Sequence, residues 1–162
     1  MKTYCIAAAL GLTLAAAPAR AAEIPLTTQM QVLCLPFAEG RRPLEDVIAL
    51  AQRTGYPERV NRGVFTNLSG PAGRMRYALM LDGRRSCEFE RPQSAYRQIL
   101  ADFKVWLGRV SGGPWTAPEP EGPDVEGERA MGWTGARANV EITEDYNDDD
   151  QIVLVIIARS RP

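Results

Sequence analysis

Histidine is absent from this chain. Its absence excludes the Ser-His-Asp and Cys-His arrangements of nucleophilic hydrolases and the commonest catalytic zinc sites. A phosphate-cradling G-x-x-x-x-G-K-[ST] loop is missing as well. Gly70-Pro71-Ala72-Gly73 has neither that spacing nor its lysine, and it reads as a turn. Cysteine is scarce at three residues, and the formal charge is only −1, so bulk electrostatics gives no reason to expect a nucleic-acid partner. No cofactor and no metal centre is indicated by any motif.

What is present begins with an export signal. Lys2 supplies a short basic start, Tyr4 to Ala17 an apolar run, and Ala19-Arg20-Ala21 a small-x-small cleavage site. The run falls short of the roughly 20 residues needed to span a bilayer, so residues 1–21 read as a leader that is removed. Cleavage after Ala21 is expected, with Ala17-Pro18-Ala19 as a second site, and no membrane insertion of the mature chain is expected. Residues 22–162 then form a single domain of ordinary size.

Export changes the meaning of the cysteines. Cys5 leaves with the leader, and Cys34 and Cys87 remain in a compartment where disulfides persist. One pairing exists. A reactive thiol is the alternative, but it ordinarily needs a nearby histidine or second cysteine to lower its pKa.

Charge and composition are uneven along the chain. Arg41 to Arg109 carries 13 basic against 7 acidic residues, whereas Glu119 to Asp150 carries 2 against 11. The two halves either neutralise each other across the fold or leave a basic face for an acidic partner. The cationic residues after Ala21 are arginines except for Lys104. That bias, with abundant alanine, fits a high-GC bacterial coding sequence, for which export means the periplasm or the medium.

Periodicity predicts the elements. Thr28 and Gln31 read as a capping box for a short helix over about Gln29 to Leu35, with Cys34 on its buried face. Pro43 opens a second helix that Gly55 ends. Three strands follow, Val64 to Leu68, Arg74 to Leu81 and Arg85 to Glu90, with Asp82-Gly83 as a hairpin turn. Ser94 caps a third helix, in which Tyr96, Ile99, Leu100, Phe103, Trp106, Leu107 and Val110 keep a helical period. Residues 111–127 carry four prolines and four glycines among acids and read as a long surface loop. Trp115 either pins that loop to the core or offers an anchor to a partner. The chain ends in a long hairpin, Arg129 to Tyr146 and Gln151 to Arg161. Ile152 to Ala158 is unbroken apolar sequence, as in a strand buried on both faces. The expected fold is α+β: a mostly antiparallel sheet of about five strands with helices packed on one face and one disulfide.

Three groups of side chains are candidates for function. Arg74, Arg76, Arg84 and Arg85 form an arginine cluster suited to a carboxylate or phosphate, or to internal pairing with Glu88 and Glu90. Glu88 and Glu90, alternating on a strand, could share acid and base roles in a hydrolase. Residues 144–150 crowd five acids into one turn, which reads as a solvated tip or a weak Ca²⁺ site without the EF-hand spacing.

The exported start, the helix with Cys34 running into Leu35-Pro36-Phe37, the helix ending at Gly55-Tyr56 and the strand bearing Cys87 resemble small uncharacterised exported proteins of Gram-negative bacteria. The resemblance spans Gln31 to Glu90 and implies a periplasmic domain with a helix-to-strand disulfide. The expected role is non-enzymatic binding of another exported protein or a small anion, including an inhibitor-like role. A carboxylate hydrolase and a Ca²⁺-dependent structural module are the alternatives.

Overall fold

The computed structural model describes residues 24–92, 96–110, 113–116, 131–146 and 151–161. The leader, most of the proline-rich loop and residues 147–150 of the acidic turn lie outside the described residues. These hold three helices and seven strands.

The first helix runs over residues 26–38, with a π-helical turn at Met30–Cys34 between two α-helical pieces. It starts earlier than the capping box predicts. Pro25 stands at the N-cap with φ −51°, and no side chain caps the helix, so Thr28 falls inside it. Proline presets the first turn and has no N–H to leave unsatisfied, which moves the start upstream. Gln31 instead accepts a hydrogen bond from Trp106 Nε1 at 3.4 Å. The second helix, Leu44–Arg53, buries Val47, Ile48 and Ala51, with Glu45 and Asp46 in its first turn and Arg53 in its last, as the macrodipole favours. Gly55 ends the turn beyond it at φ +116°, where a Cβ would also sit 2.7 Å from Ala72. The third helix, Tyr96–Leu107, buries Ile99, Phe103, Trp106 and Leu107.

The sheet is antiparallel throughout, in the order β1-β2-β3-β4-β7-β6-β5. Its strands are β1 (Glu58–Arg62), β2 (Phe65–Gly70), β3 (Gly73–Leu79), β4 (Arg85–Pro92), β5 (Met131–Thr134), β6 (Ala138–Tyr146) and β7 (Ile152–Ser160). Two meanders, each preceded by helix, meet last strand to last strand. The count is seven rather than five, for two reasons. β1 carries one apolar residue, Val60, and lies at the sheet edge, where charged sequence is ordinary. The stretch expected as one strand from Arg129 is broken by a turn at Gly135 to Arg137 into β5 and β6.

One face of the sheet holds the core. Leu68, Met75, Tyr77, Cys87, Phe89, Val140, Ile142, Leu154, Ile156 and Ala158 meet the buried sides of the helices. Cys34 and Cys87 are joined there by a disulfide, with Cα atoms 5.2 Å apart, tying the first helix to β4. Tyr77, the register partner of Cys87, packs edge-on against Phe37 with ring centroids 5.2 Å apart. A polar knot closes one corner. Gln29, 2% exposed, accepts from Tyr56 Oη at 2.5 Å and donates to Ile24 O at 2.8 Å. Its satisfied amide spares the core an unpaired polar group.

Candidate binding face

The opposite face of the sheet carries none of the three helices. The pleat sends alternate residues there, and the register brings them into rows. One row runs Val60, Asn67, Arg76, Glu88, Ile157, Glu141; the next runs Glu58, Ser69, Arg74, Glu90, Val155, Thr143. A groove of about 510 Å³ lies over these rows. Val153, Val155 and Ile157 from β7 form its apolar floor, and charged pairs flank them.

Each charged rung is made of neighbours across strands. Arg76 NH1 lies 2.8 Å from Glu88 Oε1, Arg74 NH1 lies 3.8 Å from Glu90 Oε2, and Arg159 pairs with Glu141. Arg76 also donates to Asn67 Oδ1 at 3.1 Å and stands over the Phe65 ring at 5.8 Å. These bonds fix the guanidinium in orientation. Burial raises the Glu88 carboxyl above the ordinary carboxylate range, against the opposing pull of Arg76 and Arg159.

The predicted arginine cluster divides. Arg74 and Arg76 share the open face and line the groove. Arg84 sits in the hairpin turn, clamped to Asp82 at 2.7 Å. Arg85 has the parity of Cys87 and turns to the helix side, where its guanidinium stands 5.8 Å from the Phe37 ring centre. Glu88 and Glu90 line the groove beside Arg76 and Arg74, so neither stands as a free carboxylate. Trp115 is half-buried and packs against the core; its ring occupies the space a Cβ on Gly135 would need, 2.7 Å away. Among the described residues no group of three acids or cysteines could hold a metal ion, and no helix is long and apolar enough to cross a membrane.

Sequence reasoning missed Glu141, Arg159 and the floor as parts of one site. The signal was present in β7. An unbroken apolar strand in a sheet with helices on one face must turn alternate apolar residues to the other, here Val153, Val155 and Ile157, of which Val153 and Ile157 are buried and Val155 is partly exposed.

No protein-family model matches the chain, and no curated protein and no solved structure matches it either.

Proposed function

We propose that this chain is an exported, non-enzymatic binding domain that takes a segment of another exported protein on the helix-free face of its sheet. One observation supports the reading: an apolar strip with Val155 as its most exposed residue, set between charged rungs on the sheet face that none of the described helices covers. Such a surface offers a dry centre and a polar rim, the usual anatomy of a protein interface. A small anion is disfavoured, because Arg74, Arg76 and Arg159 each already face a carboxylate. The leader-like start and the disulfide support an oxidising, extracytoplasmic setting.

The test uses protein recovered after export and immobilised against an extract of exported proteins. Wild type should retain a discrete partner, and Val155→Asp should lose it while still unfolding in one cooperative step, at a somewhat lower melting temperature. Retention of the same partner by Val155→Asp would overturn the groove as the site. A parallel screen with phosphate, sulfate and citrate should leave the melting temperature unmoved.

A carboxylate hydrolase is the second reading, favoured by Glu88, whose proton is held above the ordinary range in the groove. Retaining and inverting mechanisms both need a second carboxylate free to act, and Glu90 faces Arg74. Hydrolysis of a glycoside panel that Glu88→Gln abolishes would establish this reading over the first.

A further inference from the structure

The β3–β4 hairpin ends in an apolar tip. Leu79, Met80 and Leu81 are consecutive and exposed, Leu81 completely so. Backbone bonds hold the turn that displays them. Met80 N donates to Arg84 O at 2.8 Å, Gly83 N to Met80 O at 2.9 Å, and Gly83 takes φ +85°. Asp82 Oδ1 accepts from Arg84 N at 3.0 Å. Single exposed apolar residues need no explanation, whereas a contiguous exposed group marks a contact surface. Phe65, itself exposed, extends the group from the next strand through its pairing with Ala78.

The same end of the sheet is basic. Arg62 ends β1, Arg84 and Arg85 follow the tip, and Arg161, whose N–H donates to Arg137 O at 3.0 Å, closes β7 beside them. Arg85 N donates to Ser160 Oγ at 2.9 Å, which fixes that end of β7 against the start of β4. Arg84 and Asp82 neutralise each other, as do Arg41 and Glu39, so Arg62, Arg85 and Arg161 carry the positive charge of this end. The far end of the sheet is mixed in sign, with Glu58, Glu144 and Asp145 beside Arg74 and Arg91.

We propose that this basic end, with its apolar hairpin tip, is a peripheral docking surface for an anionic lipid bilayer. The tip enters the interface and the arginines meet headgroup phosphates, the two contributions that together hold a protein on a membrane without crossing it. Charge selects the anionic surface. Shape selects the bilayer: three successive side chains on a tight turn leave in diverging directions, which a fluid interface surrounds at once and a rigid partner meets only with a matching pocket. Of the residues it uses, Arg62 also lines the groove, whereas Leu79, Met80, Leu81, Arg84, Arg85 and Arg161 do not.

The test is co-sedimentation of protein recovered after export, its loss of the leader confirmed by intact mass. One vesicle set is phosphatidylcholine, and the other contains about one third phosphatidylglycerol. Binding to the anionic set should exceed binding to the neutral set and should weaken as salt rises. Leu81→Asp, at a position that makes no core contact, should keep the melting temperature and lower anionic-vesicle binding about tenfold or more. Equal binding to both vesicle sets, or wild-type binding by Leu81→Asp, would overturn the proposal. So would concentration-dependent self-association that Leu81→Asp abolishes in protein that ignores vesicles; the tip would then be a contact between copies of this chain.

Discussion

Ile156 and Val155 are covalent neighbours on β7, yet the pleat sends one into the core and the other onto the face that none of the described helices covers. Ile156 is fully buried between Phe89 and Ile142, whereas Val155 is half-buried between Glu90 and Thr143. The covered face is apolar, aromatic and cross-linked, which is what stability requires of a core. The open face places apolar side chains among charges that are paired with one another, an arrangement that costs stability little and leaves surface to bury against something else. The same seven strands therefore present two different surroundings, and each can be attacked from its own side.

The largest effect should come from the link that belongs wholly to the covered face. Replacing Cys34 and Cys87 together by serine releases a loop with a sequence separation of 53 residues. In the chain-entropy description that costs about 4 kcal/mol, read as a lowered urea midpoint. Protein recovered after export, with loss of the leader and its Cys5 confirmed by intact mass, should show no titratable thiol, and two free thiols would remove the bridge from the account. Next is the neighbouring pair itself. Ile156→Ala should destabilise by about 2 to 5 kcal/mol, because the cavity it leaves is enclosed. Val155→Ala should cost about 1 kcal/mol or less, because its side chain is only partly enclosed and the space it leaves is open to water. Equal losses would mean that the two faces are not different media, and the groove would lose its standing as a free surface.

The contrast is partly legible in the sequence. The helical period of the third helix and the alternation of Arg74, Arg76, Glu88 and Glu90 locate elements and faces from local spacing alone. What was not legible depends on distant pairing or on a broken period. Glu141 and Arg159 join the site only because β7 lies between β4 and β6, and no local pattern encodes strand order. β1 was hidden because Glu58–Arg62 is charged on both faces, as an edge strand must be to resist pairing with another chain. The break between β5 and β6 did leave a trace. Inward residues change from odd positions, Met131 and Trp133, to even ones, Ala138, Val140 and Ile142, and a continuous strand cannot change parity without turning its side chains to the wrong face. Arg85 follows the same rule: it shares the parity of Cys87, which separates it from the Arg74 and Arg76 face with which the sequence reading groups it.

The smallest effect is the most particular to the open face, and its sign follows from Glu88. Burial raises this carboxyl above its ordinary value of 4.5, so the folded state holds the proton more tightly than the unfolded chain does. Stability from that proton is complete below the unfolded pKa and is lost as pH rises through the folded one. Ionised Glu88 therefore weighs against folding at neutral pH, with Arg76 at 2.8 Å offsetting part of the cost. Glu88→Gln keeps the shape and removes the titration. Urea unfolding of the two proteins across the window just above pH 4.5 should show wild type losing stability relative to the variant as pH rises, by less than about 1 kcal/mol in all. A wild type that instead gains stability over that window would mean that the rung with Arg76 outweighs burial. Glu88 would then belong to an ordinary solvated ion pair, and the open face would be a more conventional surface than its apolar floor implies.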